Sequence, residues 1–387
     1  MSGRLLRLAC TLCALCSVAL AGPPAVAAPP GEPPQDPTIA SLLTDLQRLY
    51  REAGKATETY NATEETLKKQ RAEVRRLDTE LARARTSLHD SRGAAGRLAR
   101  QQYQASTDIS PYVRLLLARD PQHALDQGHV IGQMARERAK TVDRLEGGER
   151  KADVLARKAR AALDRRLTLA EQQKKARDEV RTHLDGVEKL LASLTAEQIR
   201  QLAEAEAANV AKAQDTFMAS GALSSTAGNP TEAGDRALRY AVGQLGKPYE
   251  WGAEGPDAYD CSGLTSQAWA DAGTPIPRTS QEQWAQLEHV PLDRLRPGDL
   301  VIYFPEATHV ALYLGEGKVI QAPRPDTDIK VSPIAANPIL GAVRPDPRST
   351  PMPTYTPPVL PEGAEEGSDE GYASPQSPTD TGDGQPL

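Results

Sequence analysis

The sequence predicts a two-module chain: a long antiparallel α-helical coiled coil, then an α+β domain with helices packed on an antiparallel sheet. Three observations carry this. Apolar residues recur at intervals of seven from Ile39 to Leu88, where glycine and proline are scarce. Between Ser220 and Pro230 the composition shifts to Ser, Gly, Ala and Asn, as in a linker. Beyond it amphipathic helical segments come first and strands with tight turns follow, which is the order of an α+β domain.

Residues 1–28 have the layout of a secretory signal peptide. Arg4 and Arg7 precede an apolar run from Leu8 to Leu20, and small-residue sites follow at Ala19-Leu20-Ala21 and Ala25-Val26-Ala27. The expected product is secreted, outside the membrane or in the cell wall. Residues 29–37 are Pro-rich.

Residues 38–219 predict the coiled-coil hairpin. One seam runs Ile39, Leu46, Ala53, Tyr60, Leu67, Val74, Leu81 and Leu88, and the other Leu42, Leu49, Ala56, Thr63, Gln70, Leu77 and Ala84. Thr63 and Gln70 weaken its middle. The pattern breaks at Ser106–Pro111, and Asp120-Pro121 suits the start of a second helix. Its apolar positions continue through Val180, Leu184, Val187, Leu191 and Leu194, with Gly147-Gly148 a candidate kink. A tip lobe is expected near 106–127, where Tyr112–Ala118 is either tip packing or a partner-binding surface. His89, His123, His129 and His183 lack metal-ligand spacing.

Residues 220–230 form the linker and 231–345 the compact domain. A helix beginning near Thr231 is followed by one at Cys261 and a short one through Trp284. Strands are expected at Leu300–Phe304, His309–Leu314 and Lys318–Ala322, then at Ile329–Val331 and Gly341–Arg344. Residues 346–387, rich in Pro, Ser, Thr, Gly, Asp and Glu, predict a disordered tail. The net charge of −6, without a large basic excess, argues against a nucleic-acid partner. No His/Cys/Asp cluster offers a metal site, so no metal or other cofactor is expected.

Of the four cysteines, Cys10, Cys13 and Cys16 lie in the signal segment, which leaves Cys261 alone. An odd cysteine in an exported chain is a free reactive thiol or an intermolecular cross-link. Cys261 follows a glycine-containing loop and opens a helix-permissive run, so the helix dipole would favour its thiolate, the nucleophilic form. Cysteine catalysis also needs a base and a group to orient it. His309 opens the central strand and is the candidate base, whereas His289 reads as a surface residue. Gln321 on the next hairpin strand could accept a hydrogen bond from the far ring nitrogen.

Five stretches in order extend this reading: Gly246-Lys247-Pro248-Tyr249-Glu250-Trp251-Gly252, Asp260-Cys261-Ser262-Gly263-Leu264, Pro277-Arg278-Thr279-Ser280, Pro297-Gly298-Asp299-Leu300 and His309–Gly315. With them, residues 231–345 resemble the NlpC/P60 family of cell-wall endopeptidases, papain-like cysteine peptidases. The resemblance implies Cys261 as nucleophile, His309 as base and Gln321 as the third residue, a position often held by histidine. It also implies that Tyr249 lines the cleft and helps to stabilise the oxyanion, and that Asp260, Ser262, Arg278 and Ser280 contact substrate. The implied reaction cuts D-γ-glutamyl–diaminoacid bonds of peptidoglycan stem peptides. The coiled coil joined to this domain resembles cell-separation hydrolases whose arms shield the active site and dock on a division-site membrane transporter complex. The competing expectations are a non-catalytic cell-wall scaffold acting through the helices, and an amidase or acyltransferase on the same fold.

Overall fold

The computed structural model describes residues 38–105, 113, 116, 120–224 and 228–367. The signal segment, the Pro-rich 29–37 stretch, most of the 106–119 part of the tip lobe and residues 368–387 lie outside the described residues.

Helix α1 spans Ile39–Ala105 and α2 spans Pro121–Ala192. Asp120 caps α2 by accepting from the Gln122 N–H, and Pro121 takes the first turn, where its missing N–H costs no helical bond. The two helices are antiparallel: Leu81 and Leu88 cluster with Ala152 and Leu155, while Leu42 and Leu46 cluster with Val187 at the other end. The weak point of the seam is satisfied, because Gln70 donates its amide to the Ala162 carbonyl at 3.0 Å. Gly147-Gly148 does not interrupt α2. A side-chain carbon at Gly148 would lie 3.5 Å from Leu88 Cδ1, an ordinary packing distance, so the helix approach does not depend on glycine there.

The return arm, expected as the second of two long helices, is divided. It stops at Ala192, and α3 (Ala196–Ala219) starts afresh. Thr195 and Gln198 form a reciprocal capping box there, satisfying N–H groups that a continuous helix would have bonded internally.

In the α+β domain, α4 (Glu232–Val242), α5 (Cys261–Asp271) and α6 (Ser280–Gln286) precede most of the sheet. The strands are β1 (Glu288–Val290), β2 (Leu300–Tyr303), β3 (His309–Gly315), β4 (Lys318–Gln321), β5 (Lys330–Pro333) and β6 (Ile339–Arg344). They form one antiparallel sheet in the order β1-β6-β2-β3-β4-β5. Leu300, Ile302, Val310, Leu312 and Ile320 face Leu264, Ala268 and Trp269 of α5 in the main core. This packing fixes the first turn of α5 against the start of β3. β1 was not expected from the sequence; its three residues on a sheet edge are too few to show alternation.

The chain after Asp346 also differs from the disordered tail that its composition predicts. Residues 346–367 are laid along the domain. Leu360 and Ala364 pack against the core, and the Val331 N–H donates to the Ala364 carbonyl at 2.8 Å. Asp346 is buried against Arg296 at 2.6 Å and is hydrogen-bonded to Thr231. A few anchored groups offset the ordering of a segment whose composition alone reads as unstructured.

Candidate active site

The loop before α5 and the helix itself are shaped around Asp260. This residue is extended (φ −90°, ψ 176°) and caps the helix, accepting from the Gly263 N–H at 2.6 Å. It also accepts from the Gly252 N–H at 2.9 Å and takes a two-pronged bond from Arg278 at 3.0 and 2.7 Å. Gly263 is obligatory: a Cβ there would lie 2.2 Å from the Ala253 carbonyl oxygen. The loop can therefore close over the helix start and hold Cys261, a free buried thiol, as the first residue of α5.

Across the groove, His309 begins β3 and Gln321 ends β4. The register pairs Leu312 with Ile320, which leaves His309 and Gln321 as diagonal neighbours. His309 Nε2 lies 2.7 Å from Gln321 Oε1. Gln321 donates its amide N–H to Ser332 Oγ at 2.8 Å, so its oxygen faces the ring. Nε2 is then the protonated ring nitrogen, and Nδ1 is left as the basic one. The Val310 N–H, one residue after His309, lies close enough to the Cys261 sulfur to favour its thiolate form. Cys261, His309 and Tyr249 wall one cavity of about 200 Å³.

Helix α1 covers another side of that cavity through Tyr50, Ala53, Gly54, Thr57 and Glu58. Glu58 inserts its carboxylate at the start of α5, fully buried, accepting from Ser262 Oγ at 2.9 Å and from the Ser280 N–H at 2.8 Å. The Cys261 thiol points at Glu58 Oε1, 3.9 Å away. Three residues on, Asn61 donates to Asp260 Oδ2 at 2.9 Å, and Tyr60 meets Trp251 edge-on with ring centroids 4.9 Å apart. Glu58 and Asn61 carry no signal in the sequence, where polar residues on a long helix read as solvated face.

This arrangement disfavours the charged forms of Cys261 and His309. Burial pushes the Cys261 thiol well above its ordinary range, and the nearby Glu58 and Asp260 carboxyls push it further. The expectation of a thiolate stabilised by the α5 dipole therefore does not hold with α1 in place. The Val310 N–H works in the other direction but is outweighed. Burial lowers the basicity of His309, partly countered by its bond to Gln321. Glu58 itself is raised to about 7, first by burial and then by Asp260, against the bonds from Ser262 and Ser280 and the charge of Arg278.

The sequence-predicted residues therefore converge, with varied partners. Cys261, His309 and Tyr249 share the cavity, and Gln321 stands behind the ring. Ser262 and the Ser280 backbone N–H point at Glu58. The Ser280 hydroxyl instead donates to the Ala307 carbonyl at 2.6 Å. Arg278 braces the loop, paired with Asp260, bonded to Ser262 Oγ at 2.8 Å and lying 3.2 Å from Glu254.

A cysteine at a helix start, sharing a cavity with an imidazole backed by an amide on an antiparallel sheet, defines a papain-like α+β domain. Residues 246–341 match the model of the NlpC/P60 family, and the chain carries a domain of that family. A probable endopeptidase of Corynebacterium glutamicum is 46% identical over 101 residues, covering 26% of this chain and 48% of the relative. A probable endopeptidase of Mycobacterium tuberculosis is 34% identical over 114 residues, 29% of this chain and 30% of the relative. The chain thus spans less than half the length of these relatives. The solved P60 domain of an antigen from M. avium subspecies paratuberculosis is 32% identical, with a TM-score of 0.27, covering 29% of this chain and 92% of that one.

Proposed function

We propose that this chain is an exported peptidoglycan endopeptidase that hydrolyses D-γ-glutamyl–diaminoacid bonds of stem peptides and is held inactive by α1. One observation carries the reading: Cys261 and the His309–Gln321 pair meet in a single groove, and a carboxylate from α1 is inserted there against Cys261 and Ser262. When α1 withdraws, Glu58 no longer disfavours the thiolate. The Cys261 proton passes to His309 Nδ1, and the sulfur attacks the amide carbonyl. The Cys261 backbone N–H, unbonded within the first turn of the helix, and the neutral Tyr249 hydroxyl can donate to the oxyanion. The His309 imidazolium protonates the leaving amine as the C–N bond breaks. Water, deprotonated by His309, then cleaves the thioester and restores the thiol. Gln321 orients the ring throughout without adding a charge. A partner bound near 106–127, such as a division-site membrane transporter complex, would draw α1 out of the groove.

The test compares the full chain with one beginning at Gly221 on purified peptidoglycan. The shorter chain should be the faster, and Cys261→Ser should silence both. Equal rates would remove the inhibitory role of α1. Fragments cut between glycan and peptide, seen by mass spectrometry, would favour the amidase alternative instead.

A further inference from the structure

The groove continues past His309 to a cationic wall. Arg324, in the turn between β4 and β5, lines the same cavity as Cys261 and His309 and is 6% exposed. Its turn is braced: the Arg324 N–H donates to Thr327 Oγ1 at 3.3 Å, and that hydroxyl donates to the Arg324 carbonyl at 2.6 Å. The guanidinium lies 3.9 Å from the ring centroid of Tyr50 on α1.

Helix α1 marks positions along the groove. Glu58 meets Cys261 and Ser262, a side-chain carbon at Gly54 would lie 3.9 Å from the Thr308 carbonyl oxygen, and Tyr50 covers Arg324. Eight residues of helix separate Glu58 from Tyr50, about 12 Å at ~1.5 Å per residue. The leaving amine takes its proton from His309, so the leaving residue lies beyond the imidazole, toward Arg324. The acyl residue lies on the Ser262 side. In a diamino acid with a carboxyl group at the far end of its side chain, that carboxyl carbon is six bonds from the reacting nitrogen. Three extended bonds span about 3.8 Å, so six span roughly 8 Å. With about 3 Å between sulfur and the reacting amide, the far carboxylate reaches roughly 11 Å from Cys261. This agrees with the position that Tyr50 marks.

We propose that Arg324 binds the distal carboxylate of the leaving residue and thereby selects diamino diacids of the diaminopimelate type over lysine, with Tyr50 masking it at rest. The proposal rests on the γ-glutamyl hydrolase reading above. A guanidinium fork matches a carboxylate with two parallel hydrogen bonds, and the flanking Pro323 and Pro325 restrict the turn that presents it.

The test uses the full chain opened by Glu58→Arg, with and without Arg324→Gln. Its substrates are γ-D-glutamyl peptides ending in diaminopimelate or lysine, each with the α-carboxyl amidated. The opened chain should prefer the diacid by roughly 10- to 100-fold in kcat/KM, the range of a charge-assisted hydrogen bond. Arg324→Gln should remove that preference mainly through KM, lowering the lysine substrate less than about twofold. Amidating the distal carboxyl should have the same effect as the substitution. Equal losses on both substrates, as expected if Arg324 only braces its turn, would overturn the assignment, and so would a preference that survives Arg324→Gln. Calorimetric binding of the same peptides in a Cys261→Ser background separates the two readings. Discrimination in binding without cleavage by the opened chain would refute the hydrolase and leave Arg324 standing. Absence of discrimination in both assays refutes the role of Arg324.

Discussion

Two stretches of α1 meet their partners by opposite means. From Val74 to Leu88 the helix buries Val74, Leu77, Leu81, Ala84 and Leu88 against α2. From Tyr50 to Asn61 another face meets the Cys261–His309 groove and its flanking loops through a carboxylate, an amide and aromatic rings. Apolar burial is proportional to area and has no substitute partner in water. Hydrogen bonds to Ser262, Ser280 and Asp260 can be exchanged for water or for a ligand, so their net contribution is small although their geometry is strict. The contrast sets a contact held by apolar area beside one held by exchangeable hydrogen bonds on a single helix.

Substitutions can break this contrast. The largest effect is expected at Leu46, fully buried among Leu43, Val187 and Leu202. Leu46→Ala should cost about 2–5 kcal/mol, seen as a lowered melting temperature; a neutral result would mean that the apolar seam is not what holds the arms. Next is Glu58→Arg, which sets a like charge against Arg278 and removes the acceptor for Ser262. Basal hydrolysis should rise about 10- to 100-fold with little change in arm melting. A fall in activity would identify Glu58 as part of the working site rather than its stopper.

A smaller effect should follow pH. With α1 docked, Glu58 faces Asp260 and Cys261 at the start of α5, Arg278 before α6, and Tyr249 on the preceding loop, and its carboxyl is raised to about 7. A released arm returns it to the ordinary value of 4.5. The docked form therefore binds the extra proton. Its added stability is complete below about 4.5 and is lost as pH rises toward 7. A distance probe between α1 and the domain should show more opening at pH 8 than at pH 5, and Glu58→Gln should flatten that profile. Opening that increases toward acid would contradict the assignment. The smallest effect belongs to Arg76, whose ion pairs with Glu73 and Glu80 are solvent-exposed, so Arg76→Ala should leave the melting curve where it was.

The residues of the candidate site were legible because the chemistry proposed for them restricts residue type locally. A lone cysteine behind a glycine-containing loop, a histidine opening a strand and an amide across a hairpin could be placed from spacing and turn signals. The two helices were legible from their heptads. The break at Ser193–Thr195 was hidden because apolar spacing continues to Leu194, although Thr195 and Gln198 spell a capping box. Glu58 and Asn61 were hidden for a different reason. Their partners lie about two hundred residues away, and helical periodicity carries no record of a second docking face made of polar groups.

The segment after Asp346 bears on how the isolated domain should be cut. β5 is an edge strand, and the Ala364 carbonyl occupies the N–H that Val331 would otherwise present outward. Lys330 reaches the Gly367 carbonyl at 2.7 Å and Lys318 pairs with Glu365, tying the segment down beside the strand. A chain ended at residue 345 would uncover an open ladder able to recruit a neighbour's strand. It should self-associate in sedimentation, whereas one ended at 367 stays dispersed. That outcome would make the 346–367 segment a guard against edge-to-edge aggregation.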